Sequence, residues 1–292
     1  MAARREASRL GLLLAGPAVA VMVGVTAFPI LDAVWLSLFS YRLTDPAGRV
    51  LVGLRNYRVV LADPLFWSDV ATTAALTAAC VAVELVLGLA VALVMQRATT
   101  GRRWIRAAVL VPYGIVTVVS GFSWRYAFAL DTGFVNGWFG LGSFAWFGHP
   151  ASSFAAICAA EIWKTTPFMS LLLLAGLSQV PDEVLEAARV DGAGPWRRLF
   201  SVTLPAIRGA IGVAVLFRTL DAWRIFDSVF VMTGGAQRTE TVSFLAYRQV
   251  IGRTALGLGS AVSVLVFLSA ILVALAVARA LRLELGATGA AR

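Results

Sequence analysis

The sequence predicts an all-α integral membrane protein of six spanning helices. Of its 292 residues, 59% are hydrophobic and only 14% are charged, for a mean hydropathy of +0.82. The apolar residues also gather into runs of the length, about 20 residues, that crosses a bilayer. An ordinary soluble domain carries about 25% charged residues, so most of this chain faces lipid or other apolar helices. The formal net charge of +9 comes from arginines placed mainly between those runs. That placement orients a membrane protein on an anionic leaflet rather than binding nucleic acid.

The first uncharged run, residues 12–31, follows Arg4, Arg5 and Arg9. Ala18-Val19-Ala20 has the form of a signal-cleavage site, but the run continues well past it, so a retained first span is expected. Further spans are predicted at about 70–95, interrupted only by Glu84, and at 107–124, 154–177, 207–232 and 255–278. With both termini inside, the inner segments hold fourteen arginines and the outer ones eight. The turn 96–106, with four arginines and no acid, is the cleanest inner marker. The outer segments 41–69, 131–153 and 233–253 are rich in Gly, Pro and aromatics, and Trp67, Trp138 and Trp146 suit an interfacial belt. This divides the chain into a first helix and outer loop (1–69), a core (70–282) and an inner tail (283–292).

Cys80 and Cys158 sit inside apolar runs, far from C-x-x-C spacing, and read as small packing residues. His149 is the only histidine and cannot build a metal site alone. No metal or cofactor is expected in this chain.

Residues 181–209 are too polar to cross a bilayer, yet they are patterned. Pro181 suits the start of a helix, and Asp182 and Glu183 favour its positive N-terminal end. Val184, Leu185, Ala188 and the stem of Arg189 form an apolar stripe. Asp191-Gly192 supplies a turn, Pro195 opens a second helix through about Val202, and Pro205 breaks the chain before the fifth span. The product is a helical elbow whose small face, at Ala187 and Ala188, another protein can approach. On these residues alone, an amphipathic loop lying on the membrane is an equal reading.

Glu186-Ala187-Ala188, Asp191-Gly192-Ala193 and Leu204-Pro205 resemble the EAA signature of binding-protein-dependent ABC permeases. Leu199 stands where Phe is usual, and Gly209 where a second Pro is common. The resemblance implies a MetI-like permease fold in the bacterial cytoplasmic membrane, with cytoplasmic coupling helices docking on an ATPase subunit. Glu186, Ala187, Ala188, Asp191, Gly192, Leu204 and Pro205 would form that docking elbow. A P-loop needs G-x-x-x-x-G-K-[ST]. The only lysine, Lys164, follows Trp163 within a span, so ATP and Mg would be bound by the partner ATPase.

Charges within spans cost about 2.5–3.5 kcal/mol each on insertion scales and need partners or a watery cavity. Glu161 and Lys164, at i and i+3, can pair on one face. Arg218, Asp221, Arg224 and Asp227 repeat every three residues with alternating sign. On one continuous helix each step turns about −60°, which puts Arg218 and Asp227 on nearly opposite sides. Structural ion pairing and a substrate cavity both remain open; Arg218 and Asp227 suit the first, and Glu161, Lys164, Asp221 and Arg224 the second. Glu84 reads as an interhelical hydrogen-bond partner. A more distant resemblance to maltose-type (MalF-like) permeases implies sugar contacts at Glu161, Lys164, Thr165, Phe168, Asp221, Trp223 and Arg224.

Segments 112–119, 161–177 and 216–235 resemble the mycobacterial trehalose-import permeases. This implies partnership with a second, SugB-like permease, two SugC-like ATPases and an LpqY-like sugar-binding lipoprotein, with a disaccharide such as trehalose as cargo. The alternatives are a permease for another sugar or glycerol phosphate, a secondary transporter, and a membrane-embedded enzyme. A secondary transporter has no use for the elbow. An enzyme requires a nucleophile–base pair or several metal ligands within spans.

Overall fold

The computed structural model describes residues 2–98 and 100–281; the predicted tail at 283–292 lies outside them. Helix α1 (Ala2–Ser37) leads through strands β1 (Phe39–Arg42) and β2 (Asp45–Leu51) and helix α2 (Arg55–Ala62) into α3 (Pro64–Arg97). Helices α4 (Arg102–Gly114), α5 (Thr117–Ala127), α6 (Phe134–Phe139) and α7 (Pro150–Leu177) follow. Three short helices come next: α8 (Asp182–Val190), α9 (Pro195–Arg198) and α10 (Leu204–Ala206). The chain continues through α11 (Arg208–Ala222), α12 (Asp227–Met232), α13 (Val242–Tyr247) and α14 (Leu256–Ala280).

Among the described residues, Ala15–Ser37 within α1, α3, α7 and α14 are each long and apolar enough to cross a membrane. The number reaches six if α4 with α5, bent by 85°, and Pro195–Ala206 with α11, bent by 71°, each count as one span. The predicted third span is therefore two helices. Gly114 and the β-branched Ile115 and Val116 weaken the helix there, and Ile115 and Val116 take ψ values of 134° and 133°.

The chain forms two compact units: residues up to Phe66 with Leu245–Phe267, and Trp67–Phe244 with residues from Leu268 onward. In the first, β1 and β2 pair antiparallel with Phe39 opposite Leu51 and Ser40 opposite Val50. The Gly48 amide donates to Asp45 Oδ1 at 3.1 Å within the β2 segment, and the Arg49 guanidinium lies 4.2 Å over the Phe39 ring. Asn56 Nδ2 ties α2 to the junction of α1 and β1, donating to the Ser37 and Phe39 carbonyls at 2.7 and 2.9 Å.

The second unit is organised around α7. One apolar cluster gathers Leu76, Cys80, Phe128, Ile157, Val229 and Met232. Another gathers Val81, Met95, Met169, Leu173, Leu177 and Ala214. Small residues let the helices approach closely, as in membrane interfaces generally. A Cβ on Gly88 of α3 would stand 2.8 Å from Met169 Cγ of α7, and one on Gly176 would collide with Ala210 Cβ of α11.

Candidate functional site

A polar layer lies between the two apolar clusters. Along α7 the first cluster uses Ala156, Ile157 and Ala160, and the second uses Met169, Leu173 and Leu177. Glu161 and Thr165 occupy the turn between them. On α3, Glu84 follows Cys80 of the first cluster and Val81 of the second, and on α11 Arg218 lies between Ala214 and Ala222, both of the second cluster. In a membrane interior such groups must satisfy one another.

Arg218 does most of that. Its side chain is 1% exposed, and its Nε and Nη2 donate to the two oxygens of Glu84 at 2.5 and 3.0 Å. Nη2 also reaches Glu161 Oε2 at 3.4 Å, and Nη1 reaches Asp221 Oδ2 at 2.7 Å. Thr165 Oγ1 stands 2.7 Å from Glu84 Oε1, and the Ser228 hydroxyl of α12 donates to Glu161 Oε1. One guanidinium thus joins α3, α7 and α11, using the fork geometry that distinguishes Arg from Lys.

Beside the layer is a cavity of about 400 Å³ lined by Tyr113, Thr117, Glu161, Lys164, Thr165, Arg218, Asp221, Arg224, Ile225, Phe226 and Asp227. Three lining residues are acidic and three are basic. Lys164 Nζ lies 5.5 Å from the Tyr113 ring centroid, and Tyr113 stacks on Phe168 at 5.3 Å.

The structure sets the partners of these charged residues. Glu161 and Lys164 do not pair: Glu161 is engaged by Arg218 and Ser228, and Lys164 forms no ion pair among the described residues. The alternating ladder also does not continue along one helix. Arg218 pairs with Asp221, but α11 ends at Ala222 and α12 begins at Asp227. The break between them brings Arg218 and Asp227 to the same cavity instead of opposite sides. Phe168 and Trp223 are not themselves lining residues: Phe168 stacks on Tyr113, which is, and Trp223 Nε1 donates to Ser269 Oγ of α14 at 2.9 Å. Of the seven positions proposed for sugar contact, Glu161, Lys164, Thr165, Asp221 and Arg224 line the cavity. Tyr113, Thr117 and Phe226 also line it and were not expected.

The elbow is a distinct second feature. Helix α8 has Asp182 and Glu183 in its first turn and Arg189 in its last, matching the helix dipole. Gly192 follows at φ +75°, the left-handed conformation that ends a helix, and the Ala193 amide donates to the Ala188 carbonyl at 3.0 Å. The chain bends by 71° just after Pro205, before α11. A π turn, Leu199–Thr203, absorbs the proline's missing amide hydrogen, and the bend comes at Ile207. Glu186 and Ala187 are exposed, as are Trp196 and Phe200, whose rings stack at 6.1 Å. Gln96 Nε2 donates to the Leu177 carbonyl at 3.3 Å, so the arginine-rich turn after α3 and the elbow lie at the same end of the helices.

A helical membrane protein with a polar layer, a polar cavity and an exposed elbow has the parts of a transport permease. The chain belongs to the binding-protein-dependent transport system inner membrane components, whose family pattern matches residues 84–282. It is 50% identical over 264 residues to the trehalose transport system permease protein SugA of Mycobacterium tuberculosis, covering 90% of this chain and 86% of that one. It is 38% identical over 270 residues to the trehalose/maltose permease MalF of Thermococcus litoralis, covering 90% of each. Its fold is that of a chain from a bacterial ABC transporter involved in import of the acidic polysaccharide alginate. That match has a TM-score of 0.79 at 19% identity and covers 97% of this chain and 99% of that one.

Proposed function

We propose that the chain forms half of the translocation path of an ATP-driven sugar importer and that trehalose is its cargo. The observation that carries this is the cavity, whose three acidic and three basic lining residues balance in charge. A site of this kind offers donors, acceptors and an aromatic face with no excess of positive charge, which suits a neutral polyhydroxylated molecule over glycerol phosphate. The relationship to SugA points to trehalose among such molecules. The elbow docks on the ATPase from the cytoplasmic side, with Glu186 making the polar contact and Gly192 allowing the turn. That orientation puts both termini and the arginine-rich turn at 96–106 inside. The partners are a second, SugB-like permease, two SugC-like ATPases that bind ATP and Mg, and an LpqY-like lipoprotein that delivers the sugar.

The test is uptake of radiolabelled trehalose, maltose and glycerol phosphate by the complex reconstituted in proteoliposomes, with and without the ATPases. Trehalose uptake that requires the ATPases and ATP is expected. Uptake that persists without them would make the protein a secondary transporter, and preference for another solute would reassign the cargo.

A further inference from the structure

We propose that Glu84 and Arg218 are positioning residues for cargo passage, holding the Asp221 carboxylate at the cavity wall so that its free oxygen accepts a sugar hydroxyl. The inference rests on the importer reading above and deepens it.

Asp221 lies in the last turn of α11, one residue before the helix ends at Ala222. An acidic side chain there is disfavoured by the negative end of the helix dipole, so it needs a local cation to stay in place. Arg218 Nη1, at 2.7 Å from Oδ2, is that cation. The Asp221 side chain is 64% exposed and lines the cavity, and its Oδ1 has no partner among the described residues.

Arg218 can aim Nη1 only if its guanidinium plane is fixed. Glu84 fixes it by accepting from both Nε and Nη2, a two-point grip that sets direction as well as charge. Glu84 is 0% exposed and does not line the cavity, so it acts on cargo only through Arg218. Glu161 extends the arrangement across the helix break, taking Arg218 from α11 and Ser228 from α12. Three carboxylates share this one guanidinium. Replacing Glu84 by Gln therefore leaves Arg218 paired with two acids and keeps a side chain of the same shape.

The experiment uses the complete complex in proteoliposomes with saturating binding protein. It compares wild type, Glu84→Gln, Asp221→Ala and the double variant on trehalose and a panel of its monodeoxy analogues. Glu84→Gln is expected to assemble in normal yield, to take up trehalose at least fivefold more slowly, and to lose the wild type's discrimination against one deoxy analogue. Asp221→Ala should do the same, and the double variant should be no worse than Asp221→Ala alone, because both act on one path. Multiplying losses, wild-type uptake in Glu84→Gln, or unchanged discrimination among the analogues would overturn the proposal. Should Glu84→Gln fail to assemble, Arg218→Lys repeats the comparison, since it keeps the charge and loses the fork. Failure of both to assemble makes the network structural and sinks the proposal. A wild-type complex that moves no sugar refutes the importer reading itself, before any variant is compared.

Discussion

Arg218 Nε stands 2.5 Å from Glu84 Oε2, with the two side chains 1% and 0% exposed. Removing the arginine leaves Glu84 and Glu161 as buried charges without their cation and costs about 3–5 kcal/mol. Arg218→Met is therefore expected to lower the thermal stability and assembly yield of the complex, read by melting of the purified assembly in detergent.

Lys164 predicts a different phenotype. Its ammonium faces the cavity and the Tyr113 ring and holds no helix to another by an ion pair. A hydrogen bond from a charged donor is worth about 1.5–3 kcal/mol, so Lys164→Met should lower trehalose uptake at subsaturating sugar by about tenfold or more. Assembly, followed by size-exclusion chromatography, should be unchanged.

Trp223 separates location from contact. Its indole donates to Ser269 away from the cavity lining, so Trp223→Phe should destabilise by about 1 kcal/mol and leave the uptake rate intact. A changed sugar preference in that variant would place Trp223 in the path after all.

Gly176 has Ala210 Cβ where its own Cβ would go. An alanine methyl on a helix has no rotamer with which to yield, so Gly176→Val should push α7 and α11 apart. The overpacking is expected to cost about 1–3 kcal/mol, visible as a lowered melting temperature and a reduced yield of inserted protein.

For the elbow, Gly192→Pro demands a φ near −65° where the backbone sits at +75°. It should leave the protein inserted while ATP hydrolysis no longer drives uptake. Glu186→Ala should uncouple in the same way. The ratio of sugar moved to ATP hydrolysed measures both, and a wild-type ratio in the two variants would remove the elbow from the coupling path.

The apolar runs and the elbow are legible in the sequence because their signals are local: run length, a Pro-Asp-Glu helix start, and Asp191-Gly192 as a stop. The polar site is legible only in part. Helical spacing brings Glu161 and Lys164 together on paper, whereas in the fold Glu161 turns to Arg218, 57 residues away. Periodicity also presumes an unbroken helix, so it separates Arg218 from Asp227. The break at Trp223–Phe226 reverses that by redirecting everything after it. The β hairpin hides for another reason: its strands, of four and seven residues, are too short to stand out within a segment rich in turn formers.

The Glu84–Arg218 pair also sets a timetable for biogenesis. The two residues are 134 positions apart. At synthesis rates of about 5–20 residues per second, Glu84 emerges from the ribosome roughly 7–27 s before the arginine it needs. Helix α3 therefore enters the bilayer carrying an orphan carboxyl group, and α7 follows with Glu161. Arrival of α11 then recruits both earlier helices at once. A nascent chain halted before Arg218 holds Glu84 and Glu161 without the one guanidinium that pairs both.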